Sequence, residues 1–109
     1  MENINSFGKT LNVLYIEDDV VIREKLSKLL KHKFNNVILK DNGLDGFITF
    51  YEKKPNNEQI DLIISDLNMP VMDGMTMFEK IRELDYNIPF IVISGKSEPE
   101  TLLDAIISC

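Results

Sequence analysis

Four short apolar runs, each followed by a stretch of helical periodicity, constrain this chain more than any other feature. Leu11 to Ile16, Val37-Ile38-Leu39, Ile60 to Ser65 and Ile88 to Ile93 are brief and partly β-branched, so they read as strands. After the first, Ile22, Leu26, Leu29 and Leu30 recur at helical spacing and give one apolar face. After the second, Asp41-Asn42-Gly43 reads as a turn, and Leu44, Phe47, Ile48 and Tyr51 mark another face. After the third, Met75 to Leu84 reads as a helix with Phe78, Ile81 and Leu84 inward and its methionines as core or loop filler. After the fourth, Ser97-Glu98-Pro99-Glu100 has the form of a capping box, with Leu102, Leu103 and Ile106 behind it. Strands alternating with helices imply an α/β fold, with a parallel sheet covered on both faces and right-handed crossovers.

In such sheets ligands bind beyond the carboxyl ends of the strands. Two of these strands end there in acids: Glu17-Asp18-Asp19 after the first, and Asp66 after the third. One acid suffices to cap a helix, and Asp18 or Asp19 can do so for the first. Capping does not explain Asp66, and gathered carboxylates repel and raise one another's pKa. A divalent cation gives them a purpose. Mg²⁺ fits best, because it is held by one or two carboxylates and keeps waters for a substrate. A carboxylate beside such an ion can attack phosphorus and form an acyl phosphate. Ser94, at the end of the fourth strand, can supply a hydroxyl to the same phosphoryl group, and Gly95 leaves room beside it.

Composition narrows the alternatives. With 109 residues the chain suits one domain. Its 18 acids outnumber 12 bases, for a net charge of -6, which argues against a nucleic-acid-binding surface. The cluster Arg23, Lys25, Lys28, Lys31 and Lys33 reads as a solvated helix face, and His32 as a surface residue near the helix end. The one cysteine, Cys109, cannot form a disulfide within the chain, which suits a reducing compartment. No apolar stretch approaches the ~20 residues needed to cross a bilayer. The expected setting is cytoplasmic, with no membrane partner.

The segments Leu14-Tyr15-Ile16-Glu17-Asp18-Asp19, Asp61 to Gly74 (with Ser65-Asp66-Leu67-Asn68-Met69-Pro70 at its centre) and Ile91-Val92-Ile93-Ser94-Gly95 resemble the receiver domain of two-component response regulators. The resemblance implies a flavodoxin-like fold with strand order 2-1-3-4-5. It makes residues 1–10 an N-terminal tail and 11–109 the receiver domain. It casts Asp66 as the phosphoacceptor and Ser94 as the switch hydroxyl. The metal ligands it implies are Glu17, Asp18, Asp66 and the main-chain carbonyl of Asn68, holding Mg²⁺. Asn68 and Lys96 would tune phosphoryl lifetime, while Asp73 belongs to the turn and helix start. The phosphoryl donor would be a histidine kinase or a phosphotransfer protein, and the output a change in binding to an effector. Such a domain is a signalling module, not an enzyme acting on external substrates, although it promotes its own phosphorylation and dephosphorylation.

The family has five strand–helix units and this sequence shows four, so a lysine and an aromatic of the fifth strand have no counterpart in it. On that basis the fourth strand is expected to be an apolar edge, and three readings stay open: this form is marginally stable, it pairs with another chain as a homodimer or by domain swapping, or it is a piece of a longer protein. The competing reading is a receiver-like interaction module not switched by phosphorylation. A phosphatase of the haloacid dehalogenase type is disfavoured, because it needs a second aspartate where Asn68 stands.

Overall fold

The computed structural model describes residues 10–53, 59–67, 69 and 71–93. It contains β1 (Asn12–Ile16), α1 (Val20–Lys33), β2 (Asn36–Lys40), α2 (Gly43–Lys53), β3 (Leu62–Asp66), α3 (Gly74–Leu84) and β4 (Phe90–Ile93). All strand pairs are parallel, in the order β2-β1-β3-β4. That is the expected flavodoxin-like order through its fourth strand, and β4 is an edge among the described residues. The predicted helix from Ser97, the loop Pro55 to Glu58, and the residues Asn68, Ser94, Lys96 and Cys109 lie outside them.

Two apolar layers sandwich the sheet. Val13, Tyr15, Leu62, Ile64 and Ile93 meet Leu26, Leu30 and Phe34 of α1 and its end on one face. Leu14, Ile16 and Ile63 meet Phe50, Met77 and Ile81 of α2 and α3 on the other. β1 and β3 are the central strands, and β3 is buried along its whole length, as a parallel strand covered on both faces should be. The helices start on local chemistry. Asp19 caps α1 by accepting from Ile22 N–H at 3.0 Å, and Asp73 caps α3 by accepting from Thr76 N–H at 2.8 Å. Asp73 is thus a helix start, as its sequence context suggests, and the hydrogen bond from Thr76 holds its carboxyl below the usual range.

Three expectations need correction. The strands are shifted by a residue or two from the apolar runs: Asn36 opens β2, Asp66 is the last residue of β3, and Ile88 and Pro89 precede β4. Sheet hydrogen bonds, not hydropathy, set these ends. α3 turns Met77 and Ile81 fully inward, while Phe78 and Leu84 are half-buried. Phe78 stacks edge-on against Phe90 at 5.1 Å and carries the Arg82 guanidinium over its ring.

The largest difference is in α2. The stripe Leu44, Phe47, Ile48 and Tyr51 meets the core only through Phe47, which packs half-buried against it: Leu44, Ile48 and Tyr51 are exposed, and the buried side is Gly43, Gly46 and Phe50. Close approach decides this. A Cβ on Gly46 would lie 2.7 Å from Ile16 Cγ1 and 3.0 Å from Met77 Sδ, so α2 seats its glycine side against β1 and α3. A Cβ on Gly43 would collide with the main-chain carbonyl of Met72. The helix packs on its glycines with Phe50 buried beside them, and Leu44, Ile48 and Tyr51 turn to the rim.

Candidate functional site

The register brings the acids together. Ile16 pairs with Ser65, so Glu17, the next residue, stands beside Asp66 at the carboxyl edge of the two central strands. Glu17, Asp18 and Asp66 each present a carboxylate oxygen, and these oxygens lie within 4.8 Å of one another. Glu17 is 1% exposed and Asp66 5% exposed, whereas Asp18 reaches into solvent. The expected trio therefore assembles as one cluster with two buried members. Ser94 and Asn68 lie outside the described residues.

The surrounding main chain fixes this edge. Glu17 N–H donates to the Lys40 carbonyl of β2 at 3.0 Å. Its own carbonyl accepts from Arg23 Nη1 of α1 at 2.8 Å. Glu17 Oε2 accepts from Asp19 N–H at 3.2 Å, while Oε1 is buried with no hydrogen-bond partner. Leu67 N–H is shared between Asp66 Oδ1 at 2.8 Å and the Ile93 carbonyl of β4 at 3.1 Å. The Leu67 carbonyl accepts from Gly74 N–H at 2.9 Å, which closes the loop between β3 and α3. Gly74 is required here, because a Cβ at that position would strike the Asp66 carbonyl.

That loop also holds strain. Val71 has φ 68°, a left-handed conformation that a β-branched residue adopts at a cost. Its side chain is 77% exposed, so no buried contact compensates for it. The closure between Leu67 and Gly74 and the anchored start of α3 hold it there.

The electrostatics follow from the crowding. Burial pushes the Glu17 carboxyl up, and the Asp66 and Asp18 carboxylates push it further. The Asp19 N–H opposes the rise, and the net position is about 8. The Tyr15 hydroxyl, fully buried on the same face of β1, is pushed well above the usual phenol range by burial and then by Glu17 and Asp66. A carboxyl buried with one oxygen unpartnered beside two more acids is a poor structural element and a good set of hard oxygen donors. The cluster fits a small divalent cation, which would satisfy Oε1 and offset the repulsion.

Sequence reasoning misplaced Arg23 and passed over Tyr15. Arg23 is not on the solvated face with Lys25, Lys28 and Lys31; it is half-buried and tied to the Glu17 carbonyl. With Leu39, Lys40, Asp41 and Asp45 it lines a shallow polar depression beside the acids. Tyr15 reads as strand filler, although a phenol two residues before Glu17 must share its face.

The profile described as "Response regulator receiver domain" matches residues 13–108. The chain belongs to the response regulator receiver-domain family. The receiver domain is 32% identical over 98 residues to an uncharacterized transcriptional regulatory protein, YbdJ, of Bacillus subtilis, covering 90% of this chain and 41% of that protein. It is 29% identical over 100 residues to the chemotaxis protein CheY of Treponema pallidum, covering 92% of this chain and 68% of that one. Among solved structures, a CheX-CheY-BeF3-Mg²⁺ complex from Borrelia burgdorferi aligns with TM-score 0.70 and 30% identity, over 94% of this chain and 75% of that one. The receiver domain thus spans about two-fifths of the Bacillus regulator's length and two-thirds of the Treponema protein's. Family membership makes it a signalling domain of two-component systems. No helix among its described residues is long and apolar enough to cross a membrane.

Proposed function

We propose that Asp66 accepts a phosphoryl group from a histidine kinase or a histidine phosphotransfer protein, and that Glu17, Asp18 and Asp66 hold the Mg²⁺ this transfer requires. The observation that carries the reading is the convergence of three carboxylate oxygens within 4.8 Å, around a Glu17 oxygen that is buried and unpartnered. The main-chain carbonyl of Asn68 completes the proposed ligand set, and Ser94 is the proposed hydroxyl partner of the phosphoryl group. When bound, Mg²⁺ supplies positive charge that offsets the repulsion between the attacking carboxylate and the phosphoryl oxygens. The protein's own part is positional. Leu67 N–H pins Asp66 Oδ1 and so sets the plane of the carboxylate. The Lys40 carbonyl and Arg23 guanidinium clamp the Glu17 main chain. Burial keeps water away from one side of Asp66. A carboxylate oxygen of Asp66 forms the new O–P bond as the P–N bond to the donor histidine breaks, and the electron pair leaves with the imidazole nitrogen. The product is an acyl phosphate, which water returns to a carboxylate and inorganic phosphate, so the domain promotes both its own phosphorylation and its own dephosphorylation.

A small phosphodonor tests this. With acetyl phosphate and Mg²⁺ the full chain gains about 80 Da, the mass of one phosphoryl group, in a form that hydroxylamine removes. Asp66→Asn abolishes the adduct. A wild-type chain that binds Mg²⁺ but forms no adduct, or an adduct that persists in Asp66→Asn, refutes the assignment.

A further inference from the structure

Among the described residues, two buried side-chain polar atoms have no hydrogen-bond partner: Glu17 Oε1 and the Tyr15 hydroxyl. Both belong to the same strand edge, two residues apart and on one face, with Cα atoms roughly 6.5–7 Å apart. One is an acceptor and the other a donor. Orphaned buried polar groups are rare, because each forfeits its hydrogen bonds to water. Two complementary ones on one face of a strand, two residues apart, are a pair in waiting. The charged groups that act electrostatically on the Tyr15 hydroxyl are Glu17, Asp66, Arg23 and Asp19. Arg23 is engaged with the Glu17 carbonyl, and Asp19 with the start of α1. The Asp66 carboxylate is held by Leu67 N–H. Of these groups, Glu17 offers the oxygen that is buried with no hydrogen-bond partner, Oε1.

We propose that Tyr15 is a positioning residue of the acid site, donating its hydroxyl hydrogen to Glu17 Oε1 and orienting that carboxylate toward a bound divalent cation. The inference rests on the cation-binding role proposed for Glu17. With Asp19 N–H on Oε2 and the Tyr15 hydroxyl on Oε1, both oxygens are held at fixed angles. Each keeps a lone pair for the cation, since an ionised carboxylate accepts about four hydrogen bonds or ligand contacts. Tyr15 touches neither phosphorus nor the donor, so its effect is on affinity for the ion.

The substitution Tyr15→Phe separates this role from core filling, because only a positioning tyrosine changes the affinity for Mg²⁺. A core-filling tyrosine with an unpartnered hydroxyl loses nothing when that hydroxyl is removed, so metal-free Tyr15→Phe matches or exceeds the wild type in a urea melt. A positioning tyrosine loses a hydrogen bond to a charged group, so Tyr15→Phe raises the Kd for Mg²⁺ by about tenfold. The second readout is spectroscopic. The other two tyrosines, Tyr51 and Tyr86, are exposed. Mg²⁺ added to the wild type therefore produces a tyrosine ultraviolet difference spectrum that survives in Tyr51→Phe and Tyr86→Phe and vanishes in Tyr15→Phe. Mg²⁺ binding by Tyr15→Phe with wild-type affinity, or a wild type that binds Mg²⁺ without a tyrosine signal, overturns the positioning role and leaves the metal site standing. A wild type that binds no Mg²⁺ overturns both.

Discussion

Replacing Glu17 by glutamine should make the metal-free protein more stable while removing its affinity for the cation. The magnitude follows from the pKa. Burial first, and the Asp66 carboxylate next among the groups that raise it, lift Glu17 from 4.5 to about 8 in the folded chain. Between those values the native state binds a proton that the unfolded chain has released. Folding stability therefore falls as pH rises across that interval and levels off above it. An interval of this width corresponds to on the order of 5 kcal/mol, a large fraction of the stability of a domain this size. Asp73 acts in the opposite sense and in another range: its lowered pKa contributes stability that is lost only as pH falls through its folded value. The assay is a set of urea melts in EDTA from about pH 5 to about pH 9. The wild-type midpoint drops across the series with an unchanged slope, as a pure stability change requires. Glu17→Gln lacks that drop and is the more stable protein at the alkaline end. Mg²⁺ restores the wild type there by mass action and leaves Glu17→Gln nearly unmoved. A wild-type midpoint that is flat or rises between about pH 5 and pH 8 without metal would refute the reasoning, because the cluster would then carry no repulsion for a cation to relieve.

Two further outcomes concern the loop that follows Asp66. Val71→Asn keeps the left-handed backbone but removes the β-branched conflict, so it stabilises the fold by about 1 kcal/mol. In a thermal melt that is a rise of roughly 4–8 °C, and no change or a fall would show that φ 68° is not strained. Gly74→Ala forces a Cβ against the Asp66 carbonyl, costing about 1–3 kcal/mol by overpacking. Because the clash falls on Asp66's own main chain, Mg²⁺ titration weakens in parallel, and a destabilised variant with wild-type Mg²⁺ affinity would contradict the coupling.

Much of this protein is legible along the chain because it depends on neighbours in sequence. Apolar runs six residues long became β1, β3 and β4, and Asp19 and Asp73 cap the helices that follow β1 and β3, since a cap needs only the next three residues. The acids at strand ends pointed to the site, because parallel strands bring their carboxyl ends to one edge. Tertiary structure decided what depends on distance between elements. Four apolar residues at helical spacing put the core face of α2 on Leu44, Phe47, Ile48 and Tyr51, yet only Phe47 of them packs on the core, because Gly43 and Gly46 bring the helix against Met72, Met77 and Ile16 of β1 from their own side. Arg23 sits in a basic run by sequence, and only the docking of α1 beside β1 shows its guanidinium on the Glu17 carbonyl. The repulsion among Glu17, Asp18 and Asp66 could be suspected from their types. Its size could not, because it arises from burial beside an unpartnered oxygen, and burial belongs to the packed sheet rather than to any one strand.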